Sequence, residues 1–283
     1  MSNKRKLATS NTDEPAAKYA RKGRKDDDDT LVKRTNALSI EAFRDVYVAE
    51  DQLIYVPRGP RETDPQYSTR NQDGSAQSDG QLRKYEGSPV ASEYAPHPQH
   101  IFRIALKAAR DLEPAELVQC HTLVEQTSRQ DYEASSWSWH PKRKKREMLE
   151  PEMRYLLVRS TTTATATGDS VEGFLSFMIT HDSDPPVPVL YVYEIHLAEP
   201  LRKVGLGAHL MQLAEDIAQR VGVRKVMLTC FLSNAKARRF YERRGYTRDV
   251  CSPDDRKTRK RVVEVDYVIM SKTVERAPPK GTR

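Results

Sequence analysis

A glycine-containing loop with the composition of a phosphate-binding site lies between a strand pattern and an amphipathic helix pattern. Its glycines are Gly205 and Gly207, and Arg202 and Lys203 precede them. The first N–H groups of a helix lack intrahelical acceptors and the helix dipole favours anions there, so such a loop can bind a pyrophosphate. A plain glycine loop explains the same residues. A Rossmann site is disfavoured because Leu210 replaces the third glycine of that motif.

A carboxylate flanked by two aromatic residues lies on the strand before this loop. Glu194 directly follows Tyr193, and Tyr191 lies two residues before Tyr193. An α-amine with a pKa of about 7.7–8 is substantially neutral near pH 7, whereas a lysine at about 10.4 is not, so one carboxylate could suffice to deprotonate an α-amine. In the alternative interpretation, the tyrosines are core aromatic residues and Glu194 is a solvated charge. Strict alternation along a strand would place Glu194 on the face opposite to the two tyrosines.

A second motif follows the next predicted strand and has the pattern N-x-x-A-x-x-F-Y-E-x-x-G-Y. Together, and in this order, the loop and this motif resemble the GNAT acetyltransferase superfamily. The resemblance implies acetyl-coenzyme A as co-substrate and no metal. It also implies a bulge that brings Glu194 beside the tyrosines. The residues of the second motif are Asn234, Ala237, Phe240, Tyr241, Gly245 and Tyr246.

The same resemblance implies the residues of the coenzyme site. Asn234 would lie near the thioester, and Tyr241 would either protonate the departing thiolate or pack the helix. The pantetheine arm would bind the backbone of Ile195, His196 and Leu197. The pyrophosphate would bind Lys203, Val204, Gly205, Leu206, Gly207 and Ala208, with Arg202 at its edge.

Residues 100–272 are similar to the histone-specific N-terminal acetyltransferase D family, most closely in stretches 130–139, 189–194 and 225–229. The similarity implies acetylation of the α-amine of histone tails that begin Ser-Gly-Arg-Gly, with Glu194 as catalytic base, directly or through water. Trp137 and Trp139 are either lid or core residues or substrate contacts. The implied substrate-facing residues are Tyr132, Tyr193, Thr229 and Tyr267.

One position departs from that family, because its acidic residue on the preceding strand aligns with Thr180. Asp182 or Asp184 could replace it if the loop is shifted. We expect these two residues, with Glu194 and Glu133, to attract a basic tail despite the net charge of +7 and pI near 9.2.

Periodicity predicts alternating strands and helices over one sheet, hence an α/β (α+β) class and, by resemblance, a GNAT fold with a mixed, mostly antiparallel sheet. Strands are expected over 102–111, 153–158, 171–179, 190–197, 226–231 and 262–270, and helices from Pro114, over 206–221 and over 235–244. We expect the folded domain over 99–275, starting near Ile101. Residues 1–98 are predicted to be largely disordered with a short helix within 36–56, and 276–283 to be a disordered tail.

Basic residues gather at 4–6, 21–25, 142–146 and 256–261. The first two groups resemble a bipartite nuclear import signal, so we expect nuclear and cytoplasmic localisation. The clusters are either solvated or make weak nucleic-acid contacts. Cys120, Cys230 and Cys251 show no metal-ligand spacing, and no apolar run approaches bilayer length, so we expect a soluble, intracellular monomer without metal.

Two alternatives remain at this point. GNAT motifs specify the donor better than the acceptor, so a lysine side chain or a small polyamine could be the acceptor. A nucleic-acid-binding adaptor on a degenerate GNAT fold is the second alternative, and it is disfavoured because the phosphate loop, Asn234 and Glu194 are all present.

Overall fold

An eight-stranded sheet forms the centre of the computed structural model, which describes residues 22–57, 101–160, 170–257 and 262–275. The strand order is β1-β2-β3-β4-β5-β6-β10-β7, and β8 and β9 form a separate two-stranded ribbon. Neighbours are antiparallel except β5 and β6, which are parallel. The strands are β1 (Ile54–Tyr55), β2 (Phe102–Ala108), β3 (Arg154–Ser160), β4 (Gly173–Asp182), β5 (Val187–Leu197), β6 (Lys225–Phe231), β7 (Thr247–Arg248), β8 (Arg256–Lys257), β9 (Val262–Val263) and β10 (Tyr267–Thr273).

Six α-helices accompany the sheet in the described ranges. They are α1 (Lys22–Asn36), α2 (Ile40–Tyr47), α3 (Pro114–Glu133), α4 (Pro141–Met148), α5 (Leu206–Val221) and α6 (Ala235–Arg243). Three short 3-10 turns, Glu50–Leu53, Ala109–Asp111 and Glu199–Leu201, connect them to the strands.

Local sequence explains where the two longest central helices begin and end. Pro114 opens α3, where its missing N–H costs nothing, and Glu113 and Glu116 form a reciprocal capping box. Helix α5 ends at Gly222, whose φ of 90° is left-handed, because glycine adopts this conformation without a Cβ penalty.

Alternation along the strands divides the core between the two faces of the sheet. On β3, Leu156 and Val158 pack into one core with α1, α2 and α5. Tyr155 and Leu157 point to the other core, which is covered by α3 and α4. Since successive strand residues point to opposite faces, a sheet buried on both sides requires helices on both. The predicted class, a mixed and mostly antiparallel sheet flanked by helices, is confirmed.

The N-terminal segment 22–57 corrects two expectations, an unstructured region up to 98 and a fold that starts near Ile101. It forms α1, α2, a 3-10 turn and strand β1, which pairs with β2. Phe43 is fully buried, Asn36 donates to the carbonyl of Ile179 at 3.0 Å, and Arg154 donates to the carbonyl of Thr35 at 3.2 Å. The segment is held by these polar contacts and by a few buried apolar residues, Val32, Phe43, Tyr47 and Val48.

Helix α2 falls within the predicted 36–56. The rest of the predicted disorder, at 1–21, 58–100 and 276–283, lies outside the described residues. The predicted closing strand 262–270 is wrong in extent. It is interrupted after Val263, because β9 pairs with β8 while β10 joins the main sheet beside β6. No helix within the described ranges is long and apolar enough to cross a membrane.

Phe43→Ala tests the docking of α2. Phe43 packs near Phe177, at 6.3 Å between ring centroids, and the Arg154 guanidinium lies 4.3 Å from its ring centroid. Loss of this buried ring should lower the free energy of unfolding, measured with a chemical denaturant, by about 3–5 kcal/mol. Val46→Ala, on the exposed side of the same helix, should change it by less than about 0.5 kcal/mol. Equally small effects would contradict the docking.

Candidate active site

A β-bulge in β5 sets the orientation of the candidate catalytic residues. On β4, Ser176 is paired with Glu194 and Phe177 with Val192, so Tyr193 is an extra residue in β5. An extra residue interrupts the alternation of side chains. Consequently Tyr191 and Glu194 lie on the same face of the sheet, with Tyr193 between them.

The carboxylate of Glu194 is nearly buried, and Lys144, Tyr132 and His196 contact it. Lys144 forms a short ion pair with Oε1, and the Tyr132 hydroxyl donates to the same oxygen at 3.3 Å. His196 Nε2 lies 2.7 Å from Oε2. The carboxylate therefore belongs to a polar cluster on the α3 and α4 side of the sheet and is not a solvated edge charge.

The hydrogen bonds of Thr127 indicate which ring nitrogen of His196 carries a hydrogen. Thr127 Oγ1 donates to the carbonyl of Leu123 at 2.7 Å and lies 2.5 Å from His196 Nδ1. A carbonyl can only accept, so the single hydroxyl hydrogen points to Leu123 and Nδ1–H donates to Thr127. Nε2 of His196 then faces Oε2 of Glu194.

Lys144 is the cation of this cluster, although it lies on α4 in a predicted surface run. Its side chain is 4% exposed, and its ammonium lies 5.0 Å from the Tyr132 ring centroid. Burial opposes its charge, but the carboxylates of Glu147 and Glu194 outweigh burial and raise the pKa of Lys144 well above its ordinary value. Lys144 therefore stays charged and favours the ionised form of Glu194.

An aromatic cavity of about 320 Å³, including its open mouth, adjoins this cluster. Lys144 and Tyr132 belong both to its wall and to the cluster. Its lining residues are Tyr132, Trp137, Ser138, Trp139, His140, Arg143, Lys144 and Glu147. Three of these eight side chains are tyrosine or tryptophan and the other five are polar or charged, so the cavity combines aromatic walls with polar groups.

The predicted substrate-facing residues form two neighbouring groups. Tyr132 and Trp137 each contact Phe231, at 4.9 and 5.3 Å between ring centroids, and Trp137 lies 5.0 Å from the Tyr267 ring. In the second group the Tyr191 hydroxyl is hydrogen-bonded to Thr229, and the Tyr193 ring lies 5.4 Å from that of Tyr191. Both groups lie in the core on the α3 and α4 side, the side on which Glu194 contacts Tyr132.

Strands β5 and β6 separate beyond the bulge. Their parallel pairing extends as far as Val192 and Leu228, whereas β5 continues to Leu197 paired with β4. In the described sheet, residues 195–197 have no partner on the β6 side. Ile195, His196 and Leu197 thus offer backbone groups along an open fork, which suits the amide-rich pantetheine arm predicted for them.

The predicted phosphate loop follows β5 and turns into α5. Lys203 and Gly205 have positive φ angles of 66° and 88°, and α5 begins at Leu206 with no side-chain cap. Positive φ alternating with ordinary backbone is the geometry of an anion-binding concavity. Arg202 Nε donates to the carbonyl of Leu197 at 3.0 Å and ties the loop to the end of β5.

The other loop residues divide between burial and close packing. Leu206 is completely buried in the core beneath α5, and Val204 packs against that core. Gly207 fits between Leu197 and Phe240, where an added Cβ would make ordinary contacts of 3.5 and 3.8 Å. Ala208 lies in the first turn of α5, whose N–H groups are the ones a phosphate would use.

Asn234 and Tyr241 have structural roles in addition to those predicted. The Asn234 side chain accepts from the N–H of Ala237 at 3.0 Å as the N-cap of α6, and its Nδ2 donates to Asp131 at 3.0 Å. Tyr241 is buried beside Phe240, and burial raises the pKa of its hydroxyl, which therefore keeps its proton at neutral pH.

The acidic residues predicted to receive a basic tail lie apart from one another. Thr180 and Asp182 share a face of β4 by alternation, and Asp182 is near enough to contribute to the raised pKa of the Tyr191 hydroxyl, which is mainly a result of burial. Asp184 is exposed in the turn after β4. Glu133 is paired with Arg129 at 2.7 Å and does not line the described cavity.

Sequence reasoning missed three side chains of the Glu194 cluster, namely Lys144, Thr127 and the imidazole of His196. The run 142–146 looked uniformly solvated, yet Lys144 is the one member whose neighbours at i+3 and i+4, Glu147 and Met148, are also withdrawn from solvent. This amphipathic spacing was the available signal.

Comparisons with known proteins relate part of the chain to acetyltransferases. Residues 119–246 match the Acetyltransferase (GNAT) family. A 96-residue stretch is 34% identical to N-alpha-acetyltransferase 40 of Saccharomyces cerevisiae, and it covers 28% of this chain and 34% of that protein. The chain thus spans about a third of the length of this curated relative.

Two solved structures show the range of structural similarity. The structure of Arabidopsis thaliana NAA60 in complex with a bisubstrate analogue aligns over 62% of this chain and 99% of the NAA60 chain. The identity is 14% and the TM-score is 0.44. The ribosomal-protein-S18-alanine N-acetyltransferase of Escherichia coli covers 64% with 99% of its own, at 18% identity and a TM-score of 0.40. Within the residues described, no group of three or more His, Cys, Asp or Glu is arranged to hold a metal.

Lys144→Met should lower the free energy of unfolding by about 3–5 kcal/mol, because it leaves two nearly buried carboxylates without their cation. A raised lysine pKa stabilises the fold at every pH below the unfolded value of about 10.4, and this stability is lost as pH rises through the folded value. At pH 7 the full stabilising contribution of Lys144 is therefore present in the wild type and absent in Lys144→Met. Lys145→Met, at an exposed neighbour, should change stability by less than about 0.5 kcal/mol. Equal losses would contradict the buried pair.

Proposed function

We propose that this protein is an acetyl-coenzyme A-dependent N-α-acetyltransferase that acts on protein N-termini, and on histone tails beginning Ser-Gly-Arg-Gly in particular. The observation that carries the proposal is the position of Glu194, which lies beside an aromatic cavity and immediately before the open end of β5. The GNAT family match and the partial identity to N-alpha-acetyltransferase 40 support it.

The residues at the fork fit the donor. Amide groups of the pantetheine arm would pair with the backbone of residues 195–197, and the pyrophosphate would bind the backbone of residues 203–208 at the start of α5. Bound there, the donor supplies an activated acetyl thioester. Lys203 would add positive charge at the edge of the pyrophosphate.

The amine must lose a proton before it attacks the thioester carbonyl. The carboxylate of Glu194, which contacts Lys144, Tyr132 and His196, is the acidic group placed to accept that proton. Glu194 accepts the amine's proton, directly or through a water. The new amide bond forms as the carbon–sulfur bond breaks, and the thiolate takes up a proton from Tyr241 or from water.

An α-amine suits this arrangement better than a lysine side chain. Lys144 forms an ion pair with Glu194, and a neighbouring cation makes a carboxylate a weaker base, which is adequate for an amine whose pKa is about 7.7–8 but poor for one at about 10.4. A first residue with a small side chain would enter the aromatic cavity, whose walls are Tyr132, Trp137 and Trp139. We propose that the amine reaches Glu194 from this side.

The preference for a basic tail is the finer part of the proposal. Four exposed cations, Lys142, Arg143, Lys145 and Arg146, line the α4 side, so an arginine of the tail would have to pass on the β4 side. Asp182 and Asp184 are the carboxylates available there. A nuclear and cytoplasmic location suits this substrate. Of the basic groups that prompted it, residues 4–6 and 21 lie outside the described residues.

Glu194→Gln tests the proposed base. With labelled acetyl-coenzyme A and a Ser-Gly-Arg-Gly peptide, wild-type protein should acetylate the free peptide, and the variant should show a kcat reduced about 100-fold or more, because the amide cannot accept the proton. The same peptide with a blocked α-amine but free lysines should not react. Glu242→Gln, an exposed carboxylate on α6, should leave kcat unchanged.

Other outcomes of this experiment distinguish the alternatives. Labelling of both peptides would make lysine the acceptor. Coenzyme binding without labelling of either peptide would contradict the histone-tail acceptor. Failure to bind coenzyme, together with salt-dependent DNA binding, would favour the adaptor.

A further inference from the structure

The N-terminal segment reaches the candidate phosphate loop through one side chain, that of Tyr55 on β1. The Tyr55 hydroxyl donates to the carbonyl oxygen of Val204 at 2.6 Å. The same hydroxyl lies against the next residue, because a Cβ built on Gly205 would be 2.4 Å from it. Two consecutive loop residues are therefore in direct contact with Tyr55.

This contact determines the direction of a loop N–H group. The carbonyl of Val204 and the N–H of Gly205 belong to one peptide unit, and in a trans peptide they point in opposite directions. Because Tyr55 binds the carbonyl, the N–H of Gly205 points away from the N-terminal segment. In an anion-binding concavity, the N–H groups of the loop point toward the anion and the carbonyl oxygens of the same peptide units point away from it.

The residues around Tyr55 are themselves attached to α5 and to the sheet. His209 Nε2 lies 2.7 Å from the carbonyl oxygen of Gln52, and the rings of His209 and Tyr55 are 4.8 Å apart. Farther along α5, Arg220 donates to the carbonyl of Tyr47 at 3.1 Å. Tyr55 is also paired with Phe102 across β1 and β2. The hydroxyl is thus held at a defined position beside the loop.

We propose that Tyr55 is a positioning residue for donor binding. It holds the peptide unit between Val204 and Gly205 in the orientation that binds the pyrophosphate, and the N-terminal segment thereby sets the affinity for coenzyme A. This inference rests on the proposed function, because it requires the loop to bind the pyrophosphate. Tyr55 does not line the aromatic cavity, so acceptor binding should not depend on it.

Tyr55→Phe in the full chain tests this role, because it removes only the hydroxyl. The Kd for coenzyme A, measured by calorimetry, and the KM for acetyl-coenzyme A should rise about fivefold, the effect of one lost hydrogen bond. The KM for the peptide should not change. With acetyl-pantetheine, a donor that lacks the pyrophosphate, wild type and variant should have equal kcat/KM.

Tyr47→Phe is the matched control. Tyr47 lies in the same segment and its ring packs on Phe43, at 5.0 Å between centroids. Removal of its hydroxyl should leave coenzyme affinity unchanged. A merely structural role of the segment would give both variants similar effects, and it would affect acetyl-coenzyme A and acetyl-pantetheine alike.

A double-mutant cycle with Gly205→Ala gives an independent measure of the contact. The added methyl group would overlap the Tyr55 hydroxyl, whereas in Tyr55→Phe the nearest remaining ring atom would be 3.6 Å away. The strain of alanine at the positive φ of position 205 is the same in the wild-type and Tyr55→Phe backgrounds. Gly205→Ala should therefore weaken coenzyme binding several-fold less in the Tyr55→Phe background.

The outcomes separate the two proposals. If wild type binds coenzyme A and Tyr55→Phe binds it equally well, or if the cycle is additive, the role of Tyr55 is wrong and the proposed function stands. If wild type binds no coenzyme A, the proposed function fails and the role of Tyr55 fails with it.

Discussion

The backbone pairing of β5 is the constraint on which the candidate site depends. On one side, β5 is bonded to β4 along its whole length. On the other, its parallel pairing with β6 stops at Val192. Both the change of side-chain direction and the open fork begin at the next residue, Tyr193. One extra residue in one strand thus brings a carboxylate to the acceptor side and leaves backbone groups available for a donor.

A second constraint is electrostatic. Glu194 is withdrawn from water, and an isolated charge there would be costly. Lys144 on α4 supplies the opposite charge, while Tyr132 and His196 supply hydrogen bonds. The cation comes from the same helix that walls the aromatic cavity. The cation beside the carboxylate and the shape of the aromatic cavity therefore depend on the docking of one eight-residue helix.

The N-terminal segment connects the candidate phosphate loop with the rest of the fold. Helix α2 buries Phe43 against the sheet, and the chain then runs along α5 to Tyr55 at the phosphate loop. Positive φ at Lys203, which is not a glycine, is a costly backbone conformation that persists only where surrounding structure holds it. Support from outside the loop is a physical requirement, and β1 supplies it.

The amino-acid sequence by itself determined the class of the fold, the order of its central elements, the phosphate loop and Glu194. These follow from local patterns, namely a hydrophobic period, a glycine spacing and a short motif. Tertiary structure decided the rest. The burial of Lys144, the pairing of His196 with Thr127 and the docking of Tyr55 each join residues far apart in the chain. Local composition marks such residues as solvated or unstructured, because the free energy that orders them comes from contacts that exist only once the sheet has formed.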